Sequence, residues 1–344
     1  MQTTTKRRIV VADDSRLMRR MLADALGKQG FDVVATAADG DEALAACNEH
    51  KPDALTLDLA MPGMDGIGVL RALRAGRAEP VPVVVVSAFS PAHGARAVDA
   101  LAEGAFDLVP KPAFGEPLET FTAELGRKVD AAAHSGRVRR PRATITPRRA
   151  SHRPAAVGKR VVVIACSTGG PKALGDLIPK LPSPLGAGSL IVQHMPPGFT
   201  ASLASRLDAS SPLTVAEAKG GEALSPTTAL LAPGGAHLRI APDRHARLSD
   251  DAPVGGLRPR ADFTIEDAAK LYGSRMVLVV LTGMGRDGLD GAKAVKAAGG
   301  RILVEAESTC TVYGMPRAVA EAGLADEILP LDELPEAIVR EAGR

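Results

Sequence analysis

Acids, a serine and a lysine recur at the ends of apolar runs in the first third of the chain. RRIVVADD ends in Asp13 and Asp14, DALTLDL brings Asp58, VPVVVVSA brings Ser87, and AFDLVP leads into Lys111 before Pro112. In an open parallel sheet such strand ends meet where the strand order reverses. Three carboxylates gathered there repel unless they keep protons or hold a hard divalent cation, and Mg²⁺ suits oxygen donors of this kind. The set reads as phosphoryl transfer onto a carboxylate: Asp58 is the nucleophile, Asp13 and Asp14 with Asp58 hold the metal, and Ser87 and Lys111 sense the added charge. Asp14 also has a local alternative as a helix cap ahead of Ser15.

The second half offers a different chemistry. VVVIACSTGGPKALGDLI reads as strand, glycine turn and helix, with Ser167 at the turn, a placement that suits nucleophilic attack near free backbone N–H donors. Its local alternative is an N-cap serine, and Cys166 is a rival nucleophile whose side chain faces the opposite way. SLIVQH ends in His194, stopped by Pro196 and Pro197, at the same end of the sheet and able to serve as general base. His237 in APGGAHLRI is a second histidine, read as structural or substrate-contacting. Gly283, Gly285 and Gly288 satisfy a dinucleotide fingerprint, with Glu305 as its later acid. Against that reading, Asp287 puts a carboxylate where a pyrophosphate would sit, and it is well placed to orient an imidazole.

These groups need rigid elements to hold them. Five β-rich runs alternate with helical patterns before residue 126, and their near-continuous Val and Ile implies strands buried on both faces. The rhythm resumes from residue 160 with VVVIACS, SLIVQH, ALLAP, AHLRIAP, MVLVVLTG and RILVEA. The expected fold is therefore α/β throughout: a flavodoxin-like (βα)5 domain over 1–126, a linker over 127–159, and a doubly wound parallel-sheet domain over 160–344. Residues 127–160 hold eleven Lys or Arg against the single acid Asp130, with prolines at 141, 147 and 154, a composition that reads as a solvated connector.

Composition narrows the function classes. A formal net charge of +2 gives no bulk case for nucleic acid, and no helix-turn-helix fits the β-rich second half. A DNA-binding regulator controlled by the first domain is therefore disfavoured. The absence of a long apolar run predicts no membrane insertion, and three widely spaced cysteines predict free thiols in a reducing, cytoplasmic setting.

Residues 7–125, with the DD pair, the DLAMPGMDG loop, Ser87 and Lys111-Pro112, resemble a response-regulator receiver domain. Two positions depart from that pattern: Ala60 lies two after the aspartate where a polar residue is common, and Leu108 takes the place of a switch aromatic. IACSTGGPKAL, VQHMPPGFT, APGGAH, LTGMGRDGLDGAKAVKAAGG and AESTCTVYGMPRAV resemble the catalytic domain of the chemotaxis protein-glutamate methylesterases, the CheB family. In LRPRADFTIEDAAKLYG, Arg258, Pro259 and Asp262 keep that family's shape, while Arg260 replaces a small polar residue. The resemblance implies a carboxylic ester hydrolase that demethylates glutamate side chains of methyl-accepting chemoreceptors, releasing methanol, with glutamine deamidation as a related activity. It implies the triad Ser167, His194 and Asp287, an oxyanion site at the backbone of Thr168 and Met284, and no cofactor for hydrolysis. It also implies phosphorylation of Asp58 by the pathway's histidine kinase, which would relieve a receiver-imposed block.

Overall fold

The computed structural model describes residues 6–75, 81–88, 91–112, 117–135 and 160–343, in two compact units divided at residues 139 and 140. Most of the basic stretch lies outside the described residues.

In the first unit the strands are β1 (Arg8–Ala12), β2 (Asp32–Ala37), β3 (Ala54–Leu57), β4 (Val83–Ser87) and β5 (Asp107–Pro110). They form one parallel sheet in the order β2-β1-β3-β4-β5. Helices α1 (Arg16–Lys28), α2 (Gly40–His50), α3 (Gly66–Ala75), α4 (Pro91–Ala102) and α5 (Leu118–Ser135) alternate with them. β3 and β4 are buried along their whole length, as continuous Val and Leu require. The chain steps out from β1 to β2 and then crosses back to β3, so the carboxyl ends of β1 and β3 adjoin at the switch point.

Two local expectations need correction. The cap of α1 is Ser15, whose side chain accepts from Met18 N, so Asp14 is released from that role. The linker does not begin at residue 127, because α5 runs on to Ser135 with Val129, Ala132 and Ala133 buried along one face. Alanines at helical spacing carry little hydrophobic signal, yet they suffice where the facing sheet is close. Lys128 is held in this extension by Asp107 and Glu124, at 3.2 and 3.1 Å.

The second unit begins with β6 (Val161–Cys166), α6 (Gly170–Leu177), β7 (Ser189–Gln193), α7 (Thr200–Asp208), β8 (Thr214–Glu217) and β9 (Thr228–Leu231). It continues with β10 (His237–Ile240), β11 (Ala246–Ser249), α8 (Ala261–Tyr272), β12 (Met276–Val280), α9 (Leu289–Ala297), β13 (Arg301–Glu305), α10 (Met315–Glu321), β14 (Glu327–Leu329) and α11 (Leu334–Ala342). Seven strands make a parallel sheet in the order β14-β13-β12-β6-β7-β9-β8. AHLRIAP is not part of it. Its β10 pairs antiparallel with β11, Leu238 opposite Leu248, as a separate ribbon.

β6, β7 and β12 are the buried centre of this sheet. The chain runs from β6 outward through β7, then returns to the other side of β6 as β12, so three strand ends converge at this second switch point. Helices α8 and α9 approach closely at Gly291, where a Cβ would stand 2.7 Å from Ile265 Cβ. That contact brings the first turn of α8 against the start of α9.

Candidate active site

At the first switch point the carboxylates of Asp13, Asp14 and Asp58 each offer an oxygen within 4.8 Å of the others. Lys111 Nζ lies 2.7 Å from both Asp13 Oδ2 and Asp58 Oδ2. Burial raises the pKa of Asp13, with the Lys111 ammonium and the Ser15 N–H working the other way. Burial pulls Lys111 down, but its bonds to Asp13 and Asp58 outweigh this and leave it above its ordinary value. Ser87 is buried at the end of β4, its hydroxyl without a hydrogen-bond partner among the described residues. A hard cation fits this donor set of one exposed and two buried carboxylates. Ala60 contributes only its backbone N–H, 3.3 Å from Asp58 Oδ1, and Leu108 is buried in β5.

At the second switch point the ladders place Ser167 and His194 side by side. Cys166 pairs with Gln193, and His194 N donates to Cys166 O at 3.0 Å. Ser167 N donates to Thr282 O at 3.0 Å, fixing the serine turn to the strand end of β12. The cap of α6 is Gly169, with no side-chain capping bond, so Ser167 does not serve as the helix cap. Gly283 lies against it: a Cβ there would stand 2.9 Å from Ser167 Cβ. This puts Met284, the next residue, beside the serine turn. Thr168 is buried, its carbonyl accepting from Thr282 Oγ1 at 2.9 Å.

His194 Nε2 is 2.7 Å from Asp287 Oδ2, and Nδ1 is buried without a hydrogen-bond partner. The imidazole therefore meets its carboxylate through Nε2, the reverse of the serine-protease template. Burial alone would push Asp287 up. The His194 ring overrides it, with help from the Ala261 N–H at 2.6 Å, and holds the carboxylate far below the ordinary range. An imidazole with one nitrogen on a fixed carboxylate and the other unpartnered, beside a serine turn, can accept a hydroxyl proton. Cys166 is a poor rival. Its sulfur points to Val192 O at 3.8 Å, and burial, with Glu305 nearby, raises the thiol pKa well above its usual value.

Several residues support these groups, and of them Gln193 went unread in the sequence. Gln193 Nε2 donates to the carbonyls of both Ser167 and His194, at 3.0 and 2.9 Å. Its place beside His194 is the only local clue. Arg260 and Asp262 approach Asp287 from the start of α8, and His237 Nδ1 accepts the Arg260 N–H at 3.1 Å. His237 is thus a buried support. Glu305 cannot serve a dinucleotide ribose: it is fully buried, its oxygens taken by Thr282 N at 2.7 Å and Thr309 Oγ1 at 3.0 Å. The space beside Gly283 is occupied by Ser167.

Among the described residues no helix is long and apolar enough to cross a membrane. Comparison with known proteins finds two family models, the response regulator receiver domain over residues 9–121 and CheB methylesterase over residues 162–338. The chain is 42% identical to the protein-glutamate methylesterase/protein-glutamine glutaminase of Symbiobacterium thermophilum, covering 98% of this chain and 97% of that one. It is 40% identical to the protein of the same name from Thermotoga maritima, over 96% and 97%. The crystal structure of the Thermotoga maritima CheB methylesterase catalytic domain superposes with a TM-score of 0.52 at 45% identity, over 54% of this chain and 99% of that one. Receiver fold, converging serine, histidine and aspartate, and near full-length similarity agree, and the chain belongs to the CheB methylesterase family in its receiver-linked form.

Proposed function

We propose that the second unit hydrolyses glutamate γ-methyl esters on methyl-accepting chemoreceptors, and deamidates receptor glutamines, through Ser167, His194 and Asp287. The observation that carries this is the 2.7 Å pairing of His194 with Asp287, leaving His194 Nδ1 unpartnered beside the Ser167 turn. Ser167 Oγ attacks the ester carbonyl as His194 Nδ1 takes its proton, and Asp287 stabilises the imidazolium so formed. The N–H groups of Thr168 and Met284 face the oxyanion. The tetrahedral adduct expels methoxide, which takes the proton from His194 and leaves as methanol. Water, deprotonated by the same nitrogen, then attacks the acyl-serine, releases glutamate and returns the proton to Ser167. With glutamine the leaving group is ammonia.

The first unit supplies control. A histidine kinase transfers its phosphoryl group to an Asp58 carboxylate oxygen, breaking a P–N bond and forming a P–O bond. Asp13, Asp14 and Asp58 would hold Mg²⁺, which when bound neutralises phosphoryl oxygens. Ser87 and Lys111 then meet the new charge, and esterase activity rises. The setting is the cytoplasm, where kinase and receptor signalling domains meet.

The test is methanol release from methylated chemoreceptor membranes, with and without a small phosphodonor and Mg²⁺. Release by the native chain should rise with the phosphodonor, and release by Asp58→Ala should not respond to it. Equal stimulation in both would refute the role of Asp58.

A further inference from the structure

Asp287 is held from behind by a second buried acid. Asp262, in the first turn of α8, is 2% exposed, and its Oδ1 accepts the N–H of Gly288 at 2.9 Å and of Gly291 at 2.8 Å. The Gly288 N–H also lies 3.0 Å from Asp287 Oδ1, so two carboxylates share one backbone donor. The backbone N–H of Asp262 itself reaches Asp287 Oδ1 at 3.1 Å. Arg260 bridges the pair, with Nη2 2.7 Å from Asp262 Oδ2 and Nε 3.6 Å from Asp287 Oδ1. Beneath it, the His237 ring fixes the Arg260 backbone.

We propose that Asp262 is a positioning residue of the esterase, which holds Asp287 against His194 and, through its own proton, sets how much negative charge faces the imidazole. The inference rests on the reading of Ser167, His194 and Asp287 as a triad. Every other bond to Asp287 comes from a backbone N–H or from His194, so Asp262 and Arg260 are the ionisable groups that can modulate it. With Asp262 ionised, Arg260 balances one of two carboxylates and Asp287 keeps its charge for the imidazolium. With Asp262 protonated, its O–H donates to Asp287, draws off that charge and slows the proton transfer from Ser167. Burial, then the charge of Asp287, push Asp262 up to about 6, with Arg260 opposing. The titratable groups that face the pair are Arg260 ahead of α8 and His194 at the end of β7, with His237 on β10 bonded to the Arg260 backbone, while Asp290 in the first turn of α9 lies in the field of Arg286 and Arg260. Arg260 thus supplies the counter-charge for the acid pair.

The experiment measures kcat and KM for receptor methyl-ester hydrolysis from about pH 5 to 8, using the full chain as native, Asp262→Asn, Arg260→Ser and Ser167→Ala. Asparagine keeps an acceptor for Gly288 and Gly291, and thermal melting checks that the variant folds. The native acid limb should follow two protons, and in Asp262→Asn only one. The Asn variant should lose about tenfold in kcat near neutral pH, the order of one hydrogen bond to a charged group, with KM unchanged. Arg260→Ser should move the acid limb to higher pH, and this readout stands if the Asn variant does not fold. A native two-proton limb in Asp262→Asn, a loss confined to KM, or an unmoved limb in Arg260→Ser overturns the proposal. If the native chain releases no methanol, or Ser167→Ala still does, the triad reading fails and the proposal falls with it. An active native chain, an inactive Ser167→Ala and a native-like Asp262→Asn defeat the proposal alone.

Discussion

The two units solve the same positioning problem with different material. Each is a parallel sheet whose chain reverses direction beside a central strand, and each gathers its functional groups at the carboxyl ends that meet there. In the first unit opposite charges are packed together, with Lys111 2.7 Å from two of the three acids. In the second, Ser167, His194 and Asp287 are held by a surrounding layer of Gln193, Thr282, Arg260, Asp262 and Gly283. A site that accepts a charged group and a metal needs a concentration of charge. A site that moves one proton along a fixed line needs restraint on each member of the line.

The sharpest way to break this contrast is to remove charge from the line without changing its shape. Asp287→Asn should lower kcat for ester hydrolysis by about 10⁴-fold, the loss seen when a triad aspartate becomes an amide, while Asp58 still accepts a phosphoryl group. A variant retaining more than a tenth of native kcat would place the imidazole's orientation elsewhere. Displacement without a change of charge comes next. Gly283→Ala puts a methyl group against Ser167, and a shift of the nucleophile near 1 Å should lower kcat about 10²-fold. Native kinetics there would mean that the serine turn tolerates movement.

What could be read from sequence follows the same division. Asp13, Asp14, Asp58, Ser87 and Lys111, and likewise Ser167 and His194, each close a β-rich run, so local pattern placed them at strand ends, whereas Asp287 lies on the loop between β12 and α9 and was legible only as a carboxylate ahead of a helix. Pattern could not show that β10 leaves the main sheet as a ribbon, since apolar alternation says nothing about the partner strand. Nor could it show Asp262 and Arg260 reaching Asp287, because those bonds depend on α8 and α9 meeting at Gly291. The continuation of α5 past residue 126 rests on alanines whose burial only the facing sheet reveals.

The smallest expected effect concerns the support beneath the second site. Burial lowers the pKa of His237 from 6.5, so its folded form resists a proton that the unfolded chain accepts. Its contribution to stability is present above about pH 6.5 and is lost as pH falls below it. The melting temperature should therefore fall more steeply in the native chain than in His237→Asn between about pH 7 and 5.5. Parallel curves would remove His237 from the support.

The central claim is that the serine, and not its cysteine neighbour, does the chemistry of the second unit. Methanol release from methylated receptor membranes by the native chain, Ser167→Ala and Cys166→Ala, measured side by side, tests it directly. Release by the native and Cys166→Ala proteins, with none from Ser167→Ala, is the predicted result. Release that survives in Ser167→Ala, or that is lost only in Cys166→Ala, would contradict the account.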